Sequence, residues 1–258
     1  MPTLPSKTDN GVLTLTLNRP ERANAFNLEL IGELQDAFAK ASSDSQTRVI
    51  VLTGAGSSFS AGHDITEMSS VREQDISYGE HLRQTYNPLI LQIRQIEKPI
   101  IAAVNGTCAG AALGIALACD LRCASDETRL VVGFGGIALA PDSAVSLFLP
   151  VLIGLGRAEE FYFSNAPISA QQALEWGLVN RVFSPASFMK ETLAYAERLA
   201  AGPIGAFGLA KQAFNKAVLP NLEEALNAEA DLQEIASKHA EHKEGVAAFL
   251  EKRKPKYI

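Results

Sequence analysis

The chain has 258 residues, 47% of them hydrophobic and 20% charged, enough to bury a sizeable core as one compact body. That balance excludes intrinsic disorder, and 19 glycines and 12 prolines spread without a period exclude fibrous and low-complexity chains. With 23 basic against 29 acidic residues, the net charge of -6 offers no field that would condense on nucleic acid or on an anionic membrane, so neither is an expected partner.

The opening MPTLPSKTDN lacks the basic-then-apolar pattern of a signal peptide, and no apolar run approaches the roughly 20 residues that span a bilayer. A cytoplasmic location is the expectation. Cys108, Cys119 and Cys123 lack paired zinc-type spacings and read as reduced core thiols.

Residues 12–17 alternate as a strand does, and Asn18-Arg19-Pro20 stops them. Over 28–41 the apolar residues Leu30, Ile31, Leu34, Ala37, Phe38 and Ala41 recur at helical spacing, and 48–52 is a short buried strand, completing a β-α-β unit. A helix is predicted over 78–96, kinked or broken at Pro88, followed by a buried strand over 99–104 that Asn105-Gly106 ends. Residues 110–119, GAALGIALAC, form a small-residue helix able to pack closely, which places it centrally. Short strands are expected at 121–124 and 129–132. Helices are then expected at 143–153, 157–163, 170–176, 188–200, 203–218, 222–238 and 245–251. Only Asp9-Asn10-Gly11 reads as a linker, and the fold class is α/β with a helical carboxy-terminal third.

Several chemistries fail on inspection. Gly54-Ala55-Gly56 follows a strand, but Phe59 stands where a dinucleotide fingerprint needs its third glycine, and no P-loop occurs. Ser58 replaces the glycine that a nucleophile elbow at Ser60 requires. His239 and His242 could share a metal by spacing, yet Glu241, Lys243 and Glu244 mark a wet face, so no metal site is expected. His81 reads as a surface or packing histidine and Trp176 as a core residue at a helix end.

Two stretches survive. Phe59 to Ile65 (FSAGHDI) is a tight turn after a strand, and Asn105 to Ala112 (NGTCAGAA) leads into the small-residue helix. Both leave backbone N–H groups free, and two converging N–H groups make an oxyanion hole; ordinary tight turns are the plainer reading. The third candidate is Asp142 in IALAPDSAVSLFLP. It is either the N-cap of the helix beginning at Ser143, or a carboxyl whose apolar neighbours raise its pKa into the range of a poised base.

Together these pieces resemble the crotonase superfamily, the enoyl-CoA hydratase and isomerase group. The resemblance rests on NRPERANAF, VIVLTGAGSSFSAGHDI, KPIIAAVNGTCAG, ACDLRCAS, APDS, ISAQQALEWGLVNRV and EGVAAFLEKRKPKY, which run over nearly the whole chain. It implies a crotonase-like spiral of ββα turns over 1–200 that holds the acyl-CoA site. It also implies a helical region over 201–258 that closes the CoA pocket and builds a homotrimer or hexamer. An acyl-CoA thioester is then the substrate, and no separate cofactor is implied, since coenzyme A is part of it.

Carried over by position, the resemblance makes the N–H groups of His63 and Ala111 the oxyanion donors, with no role for the His63 ring. Alanine at 111 replaces the more usual glycine but still supplies an N–H. Arg22, Ala23 and Ala25, with the turn of Ala61, Gly62, Asp64 and Ile65, resemble the pocket for the CoA moiety, and Gly110, Phe134 and Pro141 are further substrate-binding candidates. Arg22, Lys211 and the tail lysines are candidates to hold CoA phosphates, or else solvated surface charges. The pocket walls are expected from 66–85 and 133–140.

The family's two hydratase glutamates are absent: Gly114 stands at one position and, by our alignment, Phe134 at the other. Asp142 remains, as in the ring-1,2-epoxyphenylacetyl-CoA isomerase branch, which this chain resembles in TYNPL, PDS and EGVAAFLEKR. Dehalogenases of the family also place an aspartate here, paired with a histidine on the preceding helix, where this chain offers Asn87. The implied activity is that of an acyl-CoA isomerase, with a straight-chain Δ3,Δ2-enoyl-CoA isomerase as its near relative. A broad-type hydratase or a non-catalytic acyl-CoA binder are the alternatives.

Overall fold

The computed structural model describes residues 2–66 and 76–257. It opens on a hairpin in which β1 (Ser6–Asp9) pairs antiparallel with β2 (Val12–Leu17). Asn10 and Gly11 both take positive φ (48° and 78°), so Asp9-Asn10-Gly11 is a tight hairpin turn rather than a linker. Next comes α1 (Leu28–Ser43), whose first turn is capped by the Asn27 side chain accepting from the Leu30 amide at 3.0 Å.

The spiral follows: β3 (Val49–Gly54) and β4 (Ser58–Ser60), then α2 (Tyr78–Gln84) and α3 (Tyr86–Gln95). The next turn is β5 (Ile100–Val104), β6 (Thr107–Ala109) and α4 (Ala111–Ala118). The third is β7 (Leu121–Ser125) and β8 (Arg129–Val131) with α5 (Val145–Ile153) and α6 (Leu155–Ser164). After β9 (Ile168–Ser169), α7 (Ala170–Trp176) and β10 (Arg181–Phe183) the chain is helical: α8 (Phe188–Ala200), α9 (Ile204–Val218), α10 (Leu222–Ser237) and α11 (Ala240–Leu250).

Each turn gives its first strand to a six-stranded sheet of order β1-β2-β3-β5-β7-β10 and its second to a four-stranded sheet of order β4-β6-β8-β9. The large sheet is parallel from β2 onward and covered on both faces, which is why β3 and β5 read as unbroken apolar runs. Ile50, Leu52, Ile100 and Ala102 pack on the main core with Leu30, Leu34 and Leu89; Val49, Val51, Ile101 and Ala103 pack on Phe188, Ala196 and Ala200 of α8. Cys108, Cys119 and Cys123 are free and buried.

The structure departs from the sequence expectations at several places. The 78–96 helix breaks at Thr85, because Pro88 falls in the first turn of α3, where its missing N–H is not needed. The 143–153 helix begins only at Val145, because Ser143 and Ala144 are left-handed (φ 57° and 62°). The last helix starts at Ala240 rather than 245. Strands β1, β4, β6, β9 and β10, of two to four residues, are too short to leave a periodic signal.

Two polar residues are buried against expectation. His242 is 0% exposed, with Nδ1 2.8 Å from the Ile137 carbonyl oxygen and Nε2 3.0 Å from the Tyr78 hydroxyl. It joins α11 to α2 instead of lying on a wet face. Lys211 is also buried and donates to the Ile93 carbonyl (2.8 Å) and to Asp120 (2.9 Å), which also pairs with Arg94 (2.9 Å), so its ammonium is committed inside the fold and does not reach for a phosphate. Trp176 is half-buried, edge-on to Phe161 and beneath the Arg157 guanidinium. Among the described residues no helix is long and apolar enough to cross a membrane, and no cluster of metal-ligating side chains occurs.

Every residue of α4 is buried. The Arg122 guanidinium, itself buried, binds the carbonyls of Ala116 and Leu117 (3.3 Å each), Cys119 (2.8 Å) and Leu178 (2.6 Å), capping the carboxyl end of this helix. On its flank, a methyl group placed on Gly114 would lie 2.5 Å from both the Cβ and the carbonyl oxygen of Ser143. Gly114→Ala is therefore expected to destabilise the protein by about 1–3 kcal/mol. Denaturant unfolding should show a lower midpoint with an unchanged slope, and parental stability would contradict this close contact.

Candidate active site

The two backbone turns meet. The 61–65 turn is pinned to the segment after β2: the Ala61 amide donates to the Ala23 carbonyl (3.0 Å), Phe26 to Gly62 (2.8 Å) and Asp64 to Phe26 (2.9 Å). Arg19 ties both together, donating to the Ala25 carbonyl (2.6 Å) and to the Asp64 carboxylate (3.1 Å). Gly62 has φ 90°, and a methyl there would come within 2.7 Å of the Ala109 carbonyl oxygen and 3.4 Å of the Ala111 nitrogen. Glycine is thus required where this turn lies against the amino end of α4, and Gly110 (φ 58°) is the N-cap residue of that helix. Among the described residues neither the His63 nor the Ala111 N–H donates to a backbone acceptor.

These amides border a cavity of about 760 Å³. Of the residues singled out in the sequence, Ala61, His63, Ile65, Gly110, Ala111, Phe134 and Asp142 line it. Gly62 lies behind, as backbone packing. Arg22 is exposed in the turn Pro20–Arg22, Ala23 and Ala25 pair with the 61–65 segment, the Asp64 carboxylate is held by Arg19 and Thr66, and Pro141 is half-buried beside Asp142. None of these five lines the cavity. Asn87 is buried and bonds the Leu226 carbonyl (3.1 Å). Of the stretch 66–85 expected to wall the pocket, 67–75 lie outside the described residues; Tyr78, His81 and Leu82 line it, as do Gly136, Ile137 and Leu139 from 133–140.

Asp142 does not cap its helix. Its backbone carbonyl accepts from the Val145 amide (3.1 Å), but its side chain accepts from Ser143 Oγ (2.8 Å, to Oδ1) and Gln233 Nε2 (2.8 Å, to Oδ2). The cap comes from another helix: Glu229 of α10 accepts from the amides of Ala144 (2.7 Å) and Ser146 (2.8 Å). Asp142 is 8% exposed, and burial pushes its carboxyl up to about 7, reinforced by the nearby Glu229 charge and opposed by its two hydrogen bonds. Burial likewise raises the Glu229 carboxyl, while its bonds to the Ser146 and Ala144 amides pull it down.

The His63 ring is held by other side chains of the cavity wall. Its Nδ1 is 2.9 Å from the Tyr86 hydroxyl, and burial, with His81 nearby, lowers it to about 3, so it is neutral. His81 stacks edge-on against His63 with ring centres 5.0 Å apart. It is a cavity residue that the sequence reading left as surface or packing; its Nε2 and the Gln233 Oε1 are buried without a partner among the described residues.

Sequence reasoning missed Tyr86, His81, Glu229 and Gln233. A signal was present for the last two: they fall on the same helical stripe as Leu222, Leu226 and Ala230, where polar residues are out of place unless paired. The carboxy-terminal Phe249, Arg253, Lys254 and Pro255 also border the cavity.

His63 and Ala111, whose N–H groups make no backbone bond among the described residues, line the same space as one carboxyl of raised pKa. Residues 7–258 match the family model described as enoyl-CoA hydratase/isomerase. The chain is 36% identical to the 1,2-epoxyphenylacetyl-CoA isomerase of Escherichia coli over 98% of this chain and 97% of that protein. It is 33% identical to the trans-2-decenoyl-[acyl-carrier-protein] isomerase of Streptococcus mutans over 96% of this chain and 95% of the relative. An enoyl-CoA hydratase structure from Mycobacterium avium subsp. paratuberculosis superimposes with a TM-score of 0.89 at 32% identity, covering 99% of this chain and 98% of the other. By its fold and by these matches, the chain belongs to the enoyl-CoA hydratase/isomerase family, the crotonase superfamily.

Proposed function

We propose that the protein is an acyl-CoA isomerase in which Asp142 moves a proton while the N–H groups of His63 and Ala111 hold the thioester oxygen. The observation that carries this reading is that Asp142 is the one carboxylate among the described residues lining the cavity. Hydration needs a water positioned, deprotonated and its proton replaced, a task the family divides between two carboxylates. Isomerisation needs one. The Asp142 carboxylate removes a proton from the acyl chain, the negative charge that develops on the thioester oxygen is met by the two amides, and the protonated acid returns the same proton to another carbon. A carboxyl titrating near 7 suits both halves of that shuttle.

The acyl group is either a straight alkenyl chain or a ring thioester bearing an epoxide or oxepin; the names of the two isomerase relatives cover both kinds. Coenzyme A belongs to the substrate, its adenosine and pantetheine lying along Arg22, Ala23 and Ala25 and the 61–65 turn. Exposed Leu209, Phe214 and Val218 on α9 and Leu232 and Ile235 on α10 support assembly as a homotrimer or hexamer. A non-catalytic acyl-CoA binder is the competing reading, and solvent deuterium exchange into the acyl carbons of a bound thioester separates it, since a binder catalyses none.

Asp142→Asn is expected to lower double-bond migration in a 3-enoyl-CoA by about 10²- to 10⁴-fold with CoA-ester binding nearly unchanged, followed as 3-to-2 shift and hydration in parallel. Retained turnover would eliminate the assignment. Ala111→Pro deletes one amide at a first helical position, where proline is otherwise tolerated, and should cost about 10²- to 10³-fold in kcat with the fold intact by circular dichroism.

The Asp142 carboxyl ionises near 3.8 in the unfolded chain and near 7 in the folded one. Between those values the folded state binds more protons, so this group's contribution to stability falls as pH rises through the window and levels off above it. Asp142→Asn lacks that loss. Relative to the parent, its unfolding free energy should gain on the order of 2–4 kcal/mol between about pH 4 and pH 8 in denaturant titrations.

A further inference from the structure

We propose that Glu229 and Gln233, one turn apart on α10, are positioning residues for Asp142, the first holding the turn that aims it and setting a second carboxyl beside it, the second fixing its Oδ2. The inference rests on the reading of Asp142 as the acid/base.

The turn needs such support. Ser143 and Ala144 are consecutive left-handed residues, a conformation that disfavours side chains by roughly 1–2 kcal/mol each and persists only when neighbours impose it. Two sets of contacts impose it here. Gly114 of α4 presses on the Ser143 carbonyl and Cβ from one side. From the other, Glu229 grips the amides of Ala144 and Ser146 with one oxygen each. Both Glu229 oxygens therefore accept, at the amino end of α5, an arrangement that favours the carboxylate over the acid. Two carboxyl groups thus lie close together in a dry interior, where ionising one disfavours ionising the other.

One turn further along the same face, Gln233 is 1% exposed and its Nε2 donates 2.8 Å to Asp142 Oδ2. An N–H donor to a carboxylate favours its ionised form, so the two residues act in opposite directions on the same group. Glu229 is the charged group that bears on Asp142; Ser143 Oγ and Gln233 Nε2 are its hydrogen-bond partners. Of the elements packed against α10, α2 brings His81, which burial lowers and so keeps neutral, α3 brings the Tyr86 phenol, and α11 brings His242, bonded to Tyr78 and to the Ile137 carbonyl.

The test is the pH dependence of kcat/KM for the 3-to-2 double-bond shift in a 3-enoyl-CoA, measured for the parent, Glu229→Gln, Gln233→Leu and Asp142→Asn, with thermal unfolding of each. Activity should rise with pH as the base ionises. The rising limb is expected to move to lower pH by about one unit in Glu229→Gln and to higher pH by a similar amount in Gln233→Leu. A purely structural role would lower the unfolding temperature or kcat and leave both limbs in place, which would overturn the proposal. Should Glu229→Gln fail to fold, the upward displacement in Gln233→Leu, or its absence, decides. An inactive Asp142→Asn beside unmoved limbs sinks the positioning roles alone, whereas an active Asp142→Asn sinks the acid/base assignment itself.

Discussion

The bond pair from the Glu229 carboxylate to the Ala144 and Ser146 amides is the contact on which the site depends. A helix amino end must find acceptors for its free N–H groups, and an aspartate just before the helix is the residue best suited to supply them. Here the acceptor arrives from a helix some eighty residues away in the chain. Asp142 is thereby released from local duty and turned toward the cavity, with Ser143 and Gln233 on its oxygens. The arrangement buries two carboxyl groups within electrostatic reach of one another, which raises the proton affinity of Asp142 at some cost in stability.

Helix α4 brings the two halves of the site into register. Its amino end presents the Ala111 amide against the Gly62 turn, and its flank, bare at Gly114, carries the Ser143 turn at backbone distance. Its carboxyl end is anchored by Arg122, whose Nε and Nη1 donate to main-chain carbonyls. A run such as AALGIALA has almost no side-chain bulk, so the Gly62 turn and the Ser143 turn can sit on neighbouring surfaces of one thin rod. The same closeness excludes a glutamate at 114, because the space it would fill belongs to Ser143.

Much of the fold was legible in the chain. The apolar strands of the large sheet, the stripe of α1, the small-residue helix and the helical carboxy-terminal third all follow from periodicity, because elements buried on a long face repeat that burial in sequence. Of the second sheet only β8 registered; β4, β6 and β9 did not, since two or three residues complete no period. Pro88 marked a break in the 78–96 helix, which falls at Thr85 rather than at the proline, because a proline's consequence depends on which turn of a helix it occupies. His242 looked solvated beside charged neighbours, and Lys211 read as a phosphate contact or a surface charge; each is buried because a distant element supplies partners, Tyr78 and Ile137 for one, Ile93 and Asp120 for the other.

The sequence by itself determined the α/β class and the family and singled out 63, 111 and 142 as candidate positions, because turn residues, small-residue runs and a proline-aspartate pair are properties of neighbours along the chain. Whether Asp142 caps a helix or faces a cavity was decided only in three dimensions. Local sequence offers an aspartate both roles, and the choice turns on which other acceptor reaches the helix end. Glu229, Gln233, Tyr86 and His81 join the site for the same reason: burial, hydrogen-bond satisfaction and proton affinity are set by groups that meet only after the spiral and its helical cover have closed.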